Sequence, residues 1–374
     1  MDQSADIKRG LEGVVVDTSS ISKVVADKSI LIYRGYNVCD LAENCSFEEV
    51  VYLLWHGELP TASQLAAFQQ EERKHRSISP ALLEVIRHFP KNAHPMDTVR
   101  TGVSFLGLED PAEHSIDREF NLRRALTLLA KAPTIVANDY RIRKGKEPIA
   151  PRADLSFSEN FFYMCFGEVP APEIVKAFDV SLILYAEHGF NASTFTARVV
   201  ASSLADIYGA VTAAISSLKG PLHGGANEQV MHVLLEIEDS SRAREWLLTA
   251  LREKRKIMGF GHRVYKKGDS RVPTMTKYFH KLAAVKGEKR LVEMSTVLAE
   301  TMIAEKNIHP NLDYPAGPTY YLMGFDIDMF TPIFVIARMS GWTAHAIEQY
   351  SNNRLIRPLS VYNGPEERPF KRPN

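Results

Sequence analysis

From Asp40 to Gln349 the apolar residues of this chain recur at helical spacing, and that regularity excludes most folds. Ser46-Phe-Glu-Glu-Val-Val-Tyr-Leu-Leu-Trp55 reads as a helix opened by a Ser46–Glu49 capping box and closed before Gly57. Thr61–Arg76 and Pro80–His88 read as amphipathic helices. Helices over Asp97–Leu106 and Ile116–Lys144 follow, the second with a kink or break expected at Pro133. Residues 145–158 read as a loop, and Pro172 opens a helix that leaves His188 at its C-terminal end. Asn191–Lys219, rich in Ala, Ser, Thr and Val, reads as one long helix suited to close packing. Further helices are expected over Ser240–Lys256 and Thr274–Val285, and from a Thr331-Pro332 cap through Trp342 to Gln349. An extended arm, Asn352–Tyr362, comes last. Strand character is confined to residues 11–34, in Val14-Val15-Val16 and Ile30-Leu31-Ile32-Tyr33. The expected fold class is all-α with a short β segment near the N-terminus.

A chain of 374 residues has room for two domains. Between roughly 229 and 310 the helices become more charged, which reads as a smaller domain inserted into a larger one. The boundaries drawn are 1–225 with 328–374 for the large domain and 226–327 for the small one. Lys+Arg and Asp+Glu both number 45, so there is no general basic field for nucleic acid. Cys39, Cys45 and Cys165 lack Cys-x-x-Cys spacing, which argues against a disulfide framework or a zinc knuckle. No run of 18 apolar residues occurs, and the first residues carry two acids without an apolar core. A cytoplasmic protein with no membrane or nucleic-acid partner is expected.

The chemistry gathers at breaks between helices. In Gly220-Pro-Leu-His-Gly-Gly-Ala-Asn-Glu228, proline stops one helix and two glycines precede the next, placing His223 at a corner near a helix N-terminus. Such a position favours a neutral imidazole able to donate one hydrogen bond. Four stretches accompany it: Ala186-Glu-His188-Gly-Phe-Asn191-Ala-Ser-Thr194; Met258-Gly-Phe-Gly-His262-Arg-Val-Tyr-Lys266-Lys267-Gly-Asp-Ser-Arg271; Asn311-Leu-Asp313-Tyr-Pro-Ala-Gly317; and Arg338 through Arg357-Pro358. Glycine-flanked histidines, a loop aspartate and several arginines suit chemistry on a multiply charged carboxylate, because guanidinium forks bind carboxylates bidentately.

These motifs, with Tyr33-Arg-Gly-Tyr36 and Trp55-His-Gly-Glu-Leu-Pro60, resemble the citrate synthase family over nearly the whole chain. The resemblance implies an almost wholly helical homodimer of two-domain subunits. The large domain would carry the dimer contacts and the oxaloacetate site, and the small domain would bind CoA and close over substrate. It implies Claisen-type condensation of an acyl-CoA with oxaloacetate, followed by thioester hydrolysis, with no metal or redox cofactor. Asp313 matches the base that takes the α-proton, and His223 the neutral donor to the thioester oxygen. His262 matches the group that polarises the oxaloacetate ketone and protonates its oxygen. His188, Arg271 and Arg338 match the oxaloacetate-binding residues, joined by Arg357 from the other subunit. Met258, Gly259, Phe260 and Gly261 match the loop around the CoA adenine, with Lys266 and Lys267 at phosphate contacts.

The Asn311–Tyr320 stretch and the chain's ending are similar to the subgroup that makes 2-methylcitrate from propionyl-CoA. One methylene is worth only about 1–3 kcal/mol in an apolar pocket, so use of both acetyl- and propionyl-CoA is expected. The alternatives are a strict citrate synthase of the tricarboxylic acid cycle and, more remotely, a metal-dependent hydrolase built on His188, His223 and His262. The absence of His-x-x-x-His spacing argues against the hydrolase.

Overall fold

The computed structural model describes residues 7–110, 115–265, 268–370 and 372. Three short strands, β1 (Ser22–Val25), β2 (Ile30–Tyr33) and β3 (Tyr36–Asn37), form an antiparallel sheet in that order, Ser22 opposite Tyr33 and Tyr33 opposite Tyr36. Helices follow: α1 (Val38–Asn44), α2 (Phe47–His56), α3 (Ala62–Lys74), α4 (Pro80–Arg87), α5 (Pro95–Leu108), α6 (Arg118–Arg143), α7 (Phe157–Phe166) and α8 (Pro172–Tyr185). The second half holds α9 (Ala192–Ser202), α10 (Ile207–Lys219), α11 (Ala226–Ile237), α12 (Ser240–Arg252), α13 (Val272–Lys286), α14 (Lys289–Lys306), α15 (Asp313–Leu322) and α16 (Phe330–Ser351). The mainly helical architecture with a small N-terminal sheet is the expected one. Among the described residues no helix is long and apolar enough to cross a membrane.

Local chemistry explains most helix starts. Ser46 N–H donates to Glu49 Oε2 at 2.6 Å and Glu49 N–H to Ser46 Oγ at 3.3 Å, completing the capping box that opens α2. Pro80, Pro95 and Pro172 stand in the first turns of α4, α5 and α8, where a missing N–H removes no helical bond.

Four expectations need correction. Val14–Val16 is not a strand, because the turn at 26–29 pairs Ser22–Val25 with Ile30–Tyr33, and Val15 is left 88% exposed. Residues Asn191–Lys219 form two helices, not one. Leu204 takes φ +63° and Asp206 caps Gly209 N–H at 2.8 Å, so α9 stops and α10 starts afresh. Of the kink or break expected at Pro133 the break does not occur: helix α6 continues through it, and its neighbours from Leu128 to Tyr140 are almost all buried, so tertiary packing outweighs one lost donor. Thr331 is not the cap of α16; Met329 holds that position without a side-chain bond, and the Thr331 hydroxyl donates to Glu228 Oε1.

The core is organised around α16, buried along almost its whole length and packed by α6, α8, α9, α10 and α2. Farther along, α11 and α13 pack on α15, and α12 on α14, while α13 also reaches α8. Helix α16 approaches the end of α8 so closely that a Cβ on Gly341 would run into Ala186 O and Glu187 Oε2. Gly341→Ala should lower the unfolding free energy by roughly 1–3 kcal/mol in urea titrations, the usual penalty of overpacking. Wild-type stability would show that the α8–α16 contact is slack.

Candidate active site

Helix α8 ends at Tyr185, and the turn that follows is gripped from three sides. Tyr33 Oη donates to Glu187 O at 2.7 Å and accepts from Glu187 N–H at 3.1 Å, while Ser22 Oγ donates to Glu187 Oε1 at 2.8 Å. His345 on α16 reaches the same oxygen through Nε2 at 2.9 Å, its Nδ1 being taken by Arg198 at 3.1 Å. The sheet and α16 thus fix the place of His188, which is 8% exposed and whose Nε2 has no hydrogen-bond partner among the described residues. Burial, then the charges of Arg271 and His262, hold His188 well below the usual imidazole range. It is therefore neutral, not an imidazolium at a helix C-terminus.

Two buried arginines face this histidine in different states. Arg271 forms a fork with Asp269 (Nε–Oδ1 2.9 Å, Nη2–Oδ2 2.7 Å), and its Nη1 donates to Leu184 O at 3.3 Å. Burial alone would raise the Asp269 carboxyl, but Arg271 outweighs it and holds the carboxylate well below its ordinary value. Arg338 is 2% exposed and donates through Nε to Tyr185 O at 2.7 Å, yet among the described residues no carboxylate pairs with it. Burial pushes its pKa down to about 10. A buried guanidinium in this setting is suited to bind an anion.

The remaining histidines close round the arginines. His262 lies with its ring 4.9 Å from that of His188. Its Nδ1 accepts from Val264 N–H at 3.0 Å and Tyr265 N–H at 3.1 Å, so the proton sits on Nε2. Burial, then Arg271, pushes its pKa down to about 4. His223 Nε2 accepts from Ser193 N–H at 3.2 Å with Ser193 Oγ 2.8 Å away, which leaves the proton on Nδ1. Ser193 Oγ in turn accepts from Trp342 Nε1 at 3.1 Å. The His223 pKa is also pushed down to about 4, by burial first and then by Arg338.

Asp313 is the first residue of α15, not a simple turn residue. Its Oδ1 accepts from Tyr185 Oη at 2.6 Å and its N–H donates to Asn311 Oδ1 at 3.1 Å. Burial raises its pKa, opposed by the Tyr185 bond and by Arg271. The loop Met258–Gly261 is laced to the segment leading into α15. Asn311 N–H donates to Gly259 O at 2.9 Å, Asn311 Nδ2 to Gly261 O at 2.9 Å, and Gly261 N–H to His309 O at 2.8 Å. Phe260 packs on Tyr314 with ring centroids 4.6 Å apart and planes tilted by 54°.

The structure therefore brings together His188, His223, His262, Arg271, Arg338 and Asp313. Lys266 and Lys267 lie outside the described residues. Arg357 is exposed on the arm after α16, with no hydrogen bond or ion pair among the described residues, and does not join the others within one chain. No three His, Cys, Asp or Glu side chains among the described residues form a metal-ligand set. Reasoning from sequence missed Tyr185, Ser193, Asp269 and Asn311. All four lie in the quoted motifs or beside them; the partners of Tyr185 and Ser193 are distant in the chain, whereas Asp269 and Asn311 also bond residues two positions on.

Residues 10–359 match the family described as citrate synthase, C-terminal domain. The chain belongs to the citrate synthase family. It is 56% identical over 368 residues to 2-methylcitrate synthase of Mycobacterium tuberculosis, covering 98% of this chain and 93% of that one. It is 56% identical to citrate synthase of Mycolicibacterium smegmatis, covering 97% and 96%. The solved ternary complex of carboxymethyl coenzyme A and oxaloacetate with citrate synthase from Thermoplasma acidophilum superposes with a TM-score of 0.93 at 33% identity, covering 98% of both chains. Citrate synthase from Thermotoga maritima gives 0.88 at 40% identity, covering 97% and 98%. The protein is thus a condensing enzyme of the acyltransferase class.

Within this citrate synthase site the Tyr185–Asp313 bond favours the charged carboxylate. Tyr185→Phe should therefore move the Asp313 titration to higher pH, read by carboxyl-carbon NMR on aspartate-labelled protein. A downward shift would contradict the geometry.

Proposed function

We propose that this enzyme condenses an acyl-CoA with oxaloacetate and hydrolyses the resulting thioester, accepting both acetyl- and propionyl-CoA. The observation that carries the reading is Arg338, a buried cation with no carboxylate of its own, beside the unpartnered Nε2 of a neutral His188. Oxaloacetate supplies the carboxylate that Arg338 lacks, with Arg271 and His188 completing its hold. A relative named 2-methylcitrate synthase and one named citrate synthase match at the same 56% identity, which supports dual use of acyl groups.

In this reading Asp313 takes the α-proton of the thioester while His223 donates Nδ1–H to the thioester oxygen, so charge never develops unsupported. The enolic carbon then attacks the oxaloacetate ketone, whose oxygen takes the proton from His262 Nε2. The surrounding guanidinium charge makes that proton easier to release. Water completes the reaction by displacing CoA. The CoA adenine sits on Met258–Gly261 and its phosphates near Lys266 and Lys267. Residues 226–327 act as the moving unit, closing on 1–225 and 328–374 once oxaloacetate is bound. No metal or redox cofactor takes part, and the enzyme works in the cytoplasm.

Asp313→Asn should lower kcat by roughly 10²–10⁴-fold with both acyl-CoAs, the usual contribution of a positioned general base, while circular dichroism stays unchanged. Near-normal turnover would remove Asp313 from its role. Wild-type kcat/KM values for the two thioesters within about 200-fold of each other match a one-methylene difference; a wider gap favours a strict citrate synthase.

The exposed position of Arg357 supports a homodimer in which the arm serves the neighbouring site. A heterodimer of Asp313→Asn and Arg357→Ala chains has one site with both defects and one with neither. It should recover up to about half of wild-type activity, because a shared site needs one intact residue from each chain. Verified heterodimers that stay inactive would place Arg357 in its own subunit's site.

A further inference from the structure

Glu228 stands five residues after His223, in the first turn of α11, and its side chain is 11% exposed. Both oxygens of its carboxylate are engaged. Oε1 accepts from Thr331 N–H at 3.2 Å and from the Thr331 hydroxyl. Oε2 lies 3.3 Å from His94 Nε2. His94 Nδ1 accepts from Met96 N–H at 3.2 Å, so the His94 proton is on Nε2 and points at Glu228.

These bonds share a pattern. Thr331 N–H is a first-turn amide of α16, whose N-cap Met329 offers no side-chain bond. Met96 N–H is a first-turn amide of α5, whose N-cap is His94. Helix α11 itself begins from Gly225 without a side-chain cap. Three helix N-termini, each with first-turn amides that the helix itself cannot pair and the positive end of a dipole, therefore converge on one carboxylate. Glu228 caps α16 directly, supports the cap of α5, and supplies the acid of α11.

The convergence matters because of what two of these helices carry. Helix α11 leads straight out of the turn holding His223. Helix α16 carries Arg338, and also Trp342, whose indole bonds the serine that holds His223. A cavity of about 910 Å³ opens beside Glu228, with His94, His232, Lys286, Asp326 and Asp328 in its wall. Beside this cavity the Thr331 bonds to Glu228 tie the start of α16 directly to the first turn of α11.

We propose that Glu228 is a positioning residue for the condensation, holding the His223 turn in register with Arg338 by serving as a shared helix cap. The proposal rests on the function proposed above, which the wild-type protein tests separately through CoA release from acyl-CoA with and without oxaloacetate. Three variants test the positioning: Glu228→Ala, Glu228→Gln and Thr331→Val. The measurements are kcat with acyl-CoA and oxaloacetate affinity by calorimetry. Glu228→Ala should lower kcat by about tenfold to a hundredfold, the effect of misplacing a reacting group by an ångström or less, with oxaloacetate affinity within about threefold of wild type. Glu228→Gln keeps an oxygen for both Thr331 donors and should stay within about fivefold of wild-type kcat, a rescue that follows from restored geometry. Thr331→Val should lower kcat less than the alanine variant, again sparing oxaloacetate affinity. The proposal is overturned if Glu228→Ala turns over normally, if oxaloacetate affinity falls as far as kcat, or if glutamine does no better than alanine. Should the alanine variant fail to fold, Glu228→Gln and Thr331→Val decide. Selective loss of kcat in Thr331→Val with glutamine active supports the proposal, and wild-type kcat in Thr331→Val overturns it.

Discussion

A guanidinium buried without a carboxylate partner is the constraint around which this protein is arranged. Moving an unpaired charge out of water is costly, and the chain offsets that cost at a distance instead of cancelling the charge. Glu187 stands behind Arg338 as the largest favourable charge upon it, yet its Oε1 is occupied by Ser22, Gly189 and His345, and its Oε2 is unpaired. The Tyr185 carbonyl takes one guanidinium donor. The acid is thus fixed behind and the cation left open in front. The short sheet, the glycine at 341 and the buried length of α16 all serve this arrangement, because each sets the distance between the end of α8 and Arg338.

The same positive field explains why three histidines of one site stay neutral. Arg271 and Arg338 disfavour protonation of His188, and one or the other acts on His223 and His262, after burial has done most of the work. Neutral imidazoles have a defined donor nitrogen, and the backbone assigns it. Val264 and Tyr265 amides occupy Nδ1 of His262, whereas the Ser193 amide occupies Nε2 of His223. Opposite nitrogens are therefore left to donate in the two residues. Tautomer choice is written in main-chain geometry, which no side-chain substitution outside these turns alters directly.

How much was legible in the sequence followed from how local each signal is. Ser46 with Glu49 and Pro172 declare helix starts within four residues, and those starts are where they were expected. The glycine-flanked histidines stood out because helix breaks and glycines surround them. The misreadings came where the deciding partner is distant. Thr331 looks like a cap, but Glu228 lies 103 residues away and takes its hydroxyl and amide. Tyr185 is 128 residues from Asp313, and Ser193 is 30 from His223. Asp206, by contrast, carried a local signal for the break between α9 and α10 that the run of small residues obscured.

The placing of α16 also bears on how the chain acquires its site. Trp342 and Arg338 lie near the end of the sequence, Ser22 and Tyr33 near its beginning, and Glu348 accepts from Ser20 across 328 residues. Contacts this far apart close late, since the entropy of joining them is recovered only when the intervening elements are in place. During synthesis α6, α8 and α9 leave the ribosome with the groove for α16 empty and apolar. A stage in which the groove that α16 fills stands open is therefore one in which Arg338 has not yet met the end of α8. Ligand cannot rescue that stage, so quality control of this chain falls on whatever shields the cleft until the last helix arrives.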